Sequence, residues 1–237
     1  MVQALLATLL MERGRKVSRE RLLQMLWDDP PRSAEANLRQ YIAKLREQLR
    51  LPGIDLSARI GTFRGVGAYA LHVASSELDL AVHEDLLHKA RIREKRGDLR
   101  GAQALLTQAL AFWDGPIVAG TYGSGQLRRR LSSLNDLRYD VLQESLELRL
   151  ALEPAAHVIP DVRTFVLENP LHERRHGLLM RAYCAAGDNV AALKCYEDAR
   201  TTMIEEMGVE PGPDLQRLHL AILRRDPQEM QGYFVRA

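Results

Sequence analysis

The chain is poor in the features that mark several large protein classes. It has two cysteines, Cys184 and Cys195. They form neither a close metal-ligand pair nor a disulfide framework, and they fall in predicted helices as small apolar residues, which suits a reducing cytoplasm. No stretch reaches the ~18 apolar residues that a membrane span needs. The start, MVQALLATLLMERG, has only a short apolar run with no basic segment before it, so a core helix is expected there rather than a signal peptide. The glycines from Gly115 to Gly125 include no G-x-x-x-x-G-K-[ST]; a flexible connection is expected, not a phosphate-binding loop. His83 and His88 share a predicted helix without a ligand set, and spacing alone assigns no Ser–His–Asp or Cys–His constellation. No cofactor is expected.

Net charge is small overall but unevenly placed. The net charge is +2 over 237 residues, yet residues 1–75 hold 12 Lys and Arg against 7 Asp and Glu, while residues 76–237 hold 21 against 24. A basic first third joined to a mildly acidic remainder fits a nucleic-acid module followed by a protein-interaction module. The length allows two ordinary domains, each able to bury its own core.

What is present centres on residues 33–50, SAEANLRQYIAKLREQLR. Leu38, Ile42, Leu45 and Leu49 recur at i, i+4, i+7 and i+11, which makes one buried helical stripe. At 100° per residue the opposite face carries Ala36, Gln40, Ala43 and Glu47, flanked by Arg39, Arg46 and Arg50 on one side and Asn37 and Lys44 on the other. Amide and cationic side chains interleaved with alanine suit a helix pressed into a major groove, where they read base edges while alanine lets the backbone come close. Taken alone, such a helix is more often an ordinary amphipathic surface helix, so its neighbours decide. Val2–Glu12 reads as a first helix ended by Gly14 in a left-handed conformation. Ser18 is a suitable N-cap for a second, with Glu20 in its first turn. Asp28-Asp29-Pro30-Pro31 breaks that helix, and Ser33 is placed to cap the third. LSARIGTF and AYALHV, joined through Arg64-Gly65-Val66-Gly67, then read as a hairpin. Three helices plus a hairpin predict a winged helix, with Arg64 at the wing tip in reach of a phosphate or a narrow minor groove.

The remainder carries an internal repeat. Gly97, Ala102 and Ala109 share their spacing with Gly187, Ala192 and Ala199, and Glu153, Val158 and Phe165 fit the same frame. The last two units are offset by the tetratricopeptide period, with Tyr183 and Tyr196 at aromatic positions. An extra helix is expected from about Gln126 to Leu152, and a last one from the proline-braced link after Gly208 to about Arg225. The fold class expected is mainly α: a winged helix over 1–75, then a tetratricopeptide-like helical domain over 76–237. Such helical layers present extended concave surfaces that usually bind proteins or peptides.

A rival signal is His172-Glu173-Arg174-Arg175-His176, which matches H-E-x-x-H, where two histidines one turn apart bind zinc and the Glu activates water. Glu197 could supply a third ligand. Against this, the motif lies next to Pro170 at a helix start, its two arginines would place cations beside the metal, and repeat packing would put His176 in a helix–helix interface.

The segments GRKVSRERLLQMLW, ANLRQYIAKLREQL and RGVGAYAL, followed by ELDLAVHEDLL, GDLRGAQALLTQALAFWDGP, LENPLHERRHGLLMRAY and EEMGVEPGPDLQRLHLAILRRDP, resemble the Streptomyces antibiotic regulatory proteins. The resemblance runs from about residue 3 to 227. It implies a winged-helix DNA-binding domain, related to the phosphorelay-type effector domains of response regulators, joined to a bacterial transcriptional activation domain. The function it implies is a non-enzymatic, cytoplasmic activator of antibiotic-biosynthesis genes. It would bind double-stranded DNA at promoter direct repeats, pair there with a second copy of itself, and recruit RNA polymerase subunits including a sigma factor. On that footing Arg39, Gln40 and Lys44 would read bases, Asn37 and Arg46 would hold phosphates, and Arg64 would enter the minor groove. The loop bearing Asp28, Asp29 and Arg32 would touch polymerase. Family members carry strands before the first helix, whereas this chain begins inside that helix. The start is misassigned, the sequence is truncated, or the domain lacks that sheet. Without it, some of the apolar surface on Leu5, Leu6, Leu9 and Leu10 is expected to be exposed. The alternatives are a helical-repeat interaction scaffold that binds no DNA and, more remotely, a zinc hydrolase through His172, Glu173 and His176.

Overall fold

The computed structural model describes residues 1–113 and 123–226, so most of the glycine-containing connection over 115–125 lies outside the described residues. The chain divides into two compact units, residues 1–92 with 105–141 and residues 93–104 with 142–237.

The first unit begins with three helices, α1 (Val2–Met11), α2 (Arg19–Leu26) and α3 (Ala34–Gln48). Gly14 closes the α1 turn at φ +78°, and Arg13 before it is also left-handed at φ +50°. Ser18 caps α2 as expected, its Oγ accepting the Arg21 N–H at 3.2 Å. Ser33 does not cap α3: its hydroxyl instead accepts from Asn37 Nδ2 at 3.2 Å. The spacing of the α3 stripe translates directly into burial, with Leu38, Ile42 and Leu45 inside and Leu49 at the margin. They join Leu5, Leu9, Leu22, Met25 and Leu26 in one core, where each fully buried leucine contributes about 1.5–3 kcal/mol.

The wing is strand β4 (Ile60–Phe63) turning through Arg64–Gly67 into β5 (Ala68–Leu71), and Gly67 takes the left-handed conformation at φ +57° that the turn requires. A two-residue strand β1 (Val17–Ser18), between α1 and α2, pairs with the other side of β5, giving a three-stranded antiparallel sheet in the order β1-β5-β4. A second small hairpin, β2 (Arg50–Leu51) with β3 (Ile54–Asp55), separates α3 from the wing. Neither β1 nor this hairpin is expected from the sequence.

Helices α4 (Asp79–Lys95), α5 (Leu99–Leu110) and α6 (Gly125–Leu152) follow. Much of the apolar surface of α1 is covered, in part by α6, which lies outside residues 1–75. Leu5 and Leu9 are buried, Leu6 and Leu10 are half-buried against the core, and Leu127 of α6 completes that core at 0% exposure. The seam is specific. Ser124 N–H donates to Met25 O at 3.0 Å, and Arg130 donates to Glu12 at 2.7 Å. Gly123, at φ +102°, leaves no room for a side chain against Leu127 and Ala4.

The second unit is built from α7 (Ala155–Glu168), α8 (Glu173–Ala185), α9 (Asn189–Met207) and α10 (Pro213–Arg224), with α8 against α7, α9 and α10. The small residues of the repeat frame are fully buried: Ala102, Val158, Ala192 and Ala199 in this unit, and Ala109 in the first. Gly97 and Gly187 both turn at φ +80°, and each is followed by an aspartate whose carboxylate accepts an N–H of the next helix, Asp98 from Gly101 and Asp188 from Ala191, both at 2.9 Å. Gly208 ends α9 in the left-handed conformation, and Pro213 opens α10.

Candidate nucleic-acid interface

The outward face of α3 is a set of polar side chains that the fold does not use. Ala36, Arg39, Gln40, Ala43, Lys44 and Glu47 are all exposed, opposite the buried stripe. Arg39 makes one long contact, 3.9 Å to Glu35 a turn earlier, an exposed pair of the kind that contributes little to stability. Gln40 and Lys44 are separated by one helical turn and point the same way, so both could reach adjacent base edges.

Three of the residues placed here from the sequence behave differently. Arg46 is half-buried and turned toward the wing, its Nη2 donating to Ile60 O at 2.7 Å and to Thr62 Oγ1 at 2.8 Å. It clamps β4 to α3, so the side chain expected on a phosphate is engaged with the wing in this structure. Asn37 is half-buried and bonded back to Ser33, which ties down the amide expected on a phosphate. Asp28, expected on polymerase, accepts the Gly125 N–H at 2.7 Å and faces Arg128 at 3.5 Å, so it braces the first turn of α6. Asp29 and Arg32 remain exposed on the same loop, and Arg64 is exposed in the wing turn.

Sequence reasoning missed Arg19. It is the first residue of α2, its N–H donates to Gly67 O of the wing turn at 2.8 Å, and its guanidinium pairs with Glu35 of α3 at 3.1 Å. It stands at that helix N-terminus, between the wing turn and α3. The signal for it was its position right after the Ser18 cap. Lys16 lies over the ring of Phe63 in β4, its Nζ 4.4 Å from the ring centre.

The rival motif is occupied by structural work. His172 precedes α8 rather than lying on it. Glu173 accepts the Gly212 N–H at 2.8 Å, and His176 Nε2 lies 2.6 Å from Pro170 O while its Nδ1 faces Cys195 Sγ at 3.9 Å. Burial lowers the pKa of His176, favouring the neutral ring, and raises that of the Cys195 thiol to about 12, which keeps the sulfur protonated and a poor metal ligand. Arg175, 2% exposed, lies over the Phe165 ring at 4.1 Å and donates to Phe165 O. Glu173 and His176 are thus committed to contacts that hold α8 against its neighbours.

Comparison with known proteins fits this geometry. Residues 2–71 match the model of the C-terminal domain of transcriptional regulatory proteins, and residues 78–223 match the bacterial transcriptional activator domain. The chain belongs to the Streptomyces antibiotic regulatory protein family. It is similar to Regulatory protein DnrI of Streptomyces peucetius, 30% identical over 226 residues that cover 92% of this chain and 82% of DnrI. It is 36% identical over 227 residues to Regulatory protein AfsR of Streptomyces coelicolor, covering 95% of this chain but only 22% of AfsR, so it spans about a fifth of that relative's length. The solved structure of Mycobacterium tuberculosis EmbR in complex with low affinity phosphopeptide superposes with a TM-score of 0.85 at 25% identity, over 98% of this chain and 62% of that one. Both matched domains are those of transcriptional regulators, a family that is not enzymatic. Among the described residues, no helix is long and apolar enough to cross a membrane.

Proposed function

We propose that this family member is an activator that binds double-stranded promoter DNA through α3 and the wing and recruits RNA polymerase to antibiotic-biosynthesis genes. One observation carries the reading: Arg39, Gln40 and Lys44 form an exposed face, interleaved with alanine, on the helix that precedes the wing. In the proposed complex Gln40 and Lys44 take the base edges, with Arg39 beside them. Arg19 and Arg64 take the flanking backbone and minor groove, and Arg46 acts indirectly by holding the wing. Asp29 and Arg32 form the polymerase-facing part of the α2–α3 loop, and the sigma factor is among the subunits proposed. The tetratricopeptide-like frame of the second unit supports a role in protein contact.

A single winged helix reads one short half-site, which limits specificity. The reading therefore places two copies side by side on direct repeats, related by translation along the DNA. The basic residues 1–75 of one copy and the acidic remainder of the next supply complementary charge. Fluorescence-anisotropy titration at stated salt tests this with one and two repeats from the promoters of neighbouring genes. Cooperative binding should appear with repeats on one face of the duplex, vanish when about half a turn is inserted, and return in part with a full turn. A preference for inverted repeats, or equal affinity for random DNA, would sink the reading.

A further inference from the structure

At the base of the wing, away from its tip, the first unit has an open surface depression with about 660 Å³ of accessible space. Its walls carry Arg13, Arg15, Arg59 and His72, faced by a single lining carboxylate, Glu77. Two of the guanidiniums are held in place by carboxylates: Arg13 by Glu84, and Arg59 by Glu77 at 2.6 Å. Glu77 is itself anchored by the Ala74 N–H at 2.8 Å. Arg15 is exposed and makes no ion pair or side-chain hydrogen bond among the described residues, and the same holds for the His72 ring. The ring stands close to the α1 turn, since a Cβ on Gly14 would come 3.7 Å from His72 Nδ1. Counting Glu84, three guanidiniums and an imidazole face two carboxylates.

We propose that this depression binds a small anionic effector bearing phosphate or carboxylate groups. Such oxygens match the planar donors of arginine, two of which are pre-oriented while the third is free to close on the ligand. The site is separate from the surface proposed for DNA, because the four residues of β5 put roughly 13 Å between the wing turn and His72. It is nevertheless wired to that surface. Arg59 O accepts the His72 N–H at 2.9 Å, and the next carbonyl, that of Ile60, is gripped by Arg46 from the recognition helix. An anion drawing Arg59 and His72 together would set the joint between wing and α3, and so the DNA affinity.

The test titrates the full chain with pyrophosphate and, separately, with citrate by isothermal calorimetry, against sodium chloride of equal ionic strength. The expected result is saturable one-site binding that falls tenfold or more in Arg15→Ala, a variant that removes an exposed side chain and should leave the melting temperature unchanged. His72→Gln should weaken binding as well. Response to pyrophosphate alone identifies a phosphate ligand, and response to citrate alone a carboxylate one. Absence of binding beyond the chloride control, or equal binding by Arg15→Ala, overturns the proposal. So does a reduced salt dependence of DNA binding in Arg15→Ala, by about one phosphate contact, since the residue would then belong to the DNA backbone interface. The calorimetric arm needs no DNA, so its failure is distinct from failure of the DNA-binding reading.

Discussion

Helix α3 and helix α8 each carry a polar motif that suggests chemistry, and they end in opposite conditions. On α3, Arg39, Gln40 and Lys44 look outward with almost nothing to hold them. On α8, Arg175 and His176 are buried, and the polar atoms of Glu173 and His176 are matched to a backbone N–H, a backbone carbonyl and a thiol. A buried polar group needs partners inside the protein, because leaving it unmet costs about 1–3 kcal/mol. An exposed one is kept company by water and is available to a ligand. Spacing along the chain does not distinguish these cases, since both motifs repeat at one helical turn. Their sequence surroundings do so in part: α8 is apolar on several sides, LLMRAYCAA, while α3 keeps its leucines to one stripe.

The sharpest test of that contrast is Phe165→Ala. It removes the ring beneath the Arg175 guanidinium and opens a cavity in the α7–α8 contact. Chemical denaturation should show a loss of about 3–5 kcal/mol for the unfolding of the second unit. A loss under about 1 kcal/mol would mean that α8 is not held by this contact, and its motif would again be open to another role.

On the other side of the comparison, Gln40→Ala and Lys44→Ala should leave stability within about 0.5 kcal/mol, as exposed substitutions do. Each should reduce discrimination between cognate and random DNA by about 1–3 kcal/mol, measured by competition anisotropy. Arg46→Ala separates from them. It should lower stability by about 1.5–3 kcal/mol, the range for hydrogen bonds from a charged donor, and weaken cognate and random DNA alike with the salt dependence preserved. If Arg46→Ala instead flattens the salt dependence at full stability, its guanidinium leaves the wing for a phosphate when DNA binds.

The α2–α3 loop holds both conditions within two residues. Asp28→Ala removes the carboxylate that accepts the Gly125 N–H, so a capping-sized loss of about 1 kcal/mol is expected in thermal or chemical unfolding. Asp29→Ala should leave stability alone and lower transcription in a reconstituted assay. Equal stability loss in the two variants would erase the distinction.

Much of the architecture was legible because helical stripes and glycine turns are local signals. The leucine spacing of α3, Ser18 as a cap, the Arg64–Gly67 wing turn and the stops at Gly187 and Gly208 all follow from a few adjacent residues. What escaped depends on backbone pairing or on distant partners. Strand β1 is two residues long and exists through its bonds to Ala68 and Tyr69. Asp28 meets Gly125 across 97 positions, and Arg46 bends toward strand carbonyls that no periodicity announces. The face of the candidate site was therefore readable, while the division of labour among its residues was not.

The smallest expected effect concerns pH and again separates the two helices. Burial is the largest cause of the lowered His176 pKa, outweighing the hydrogen bond to Pro170 and the charges of Asp198 and Glu173, which raise it. In the unfolded chain the ring returns to its ordinary value near 6.5. The unfolded state therefore binds the extra proton first as pH falls, and stability must decline with it. The contribution of a neutral His176 is complete above pH 6.5 and is lost progressively below it, through the interval down to the lowered folded-state value. Unfolding curves between pH 7.5 and 5.5 should show this slope, and His176→Gln, whose amide can still donate to Pro170 O, should flatten it. The α3 face has no titrating histidine, so the discrimination carried by Gln40 and Lys44 should stay constant wherever the protein remains folded. A slope unchanged in His176→Gln would move the titration elsewhere, first to His219, whose pKa burial also lowers and whose ring stacks on Tyr196 at 3.9 Å.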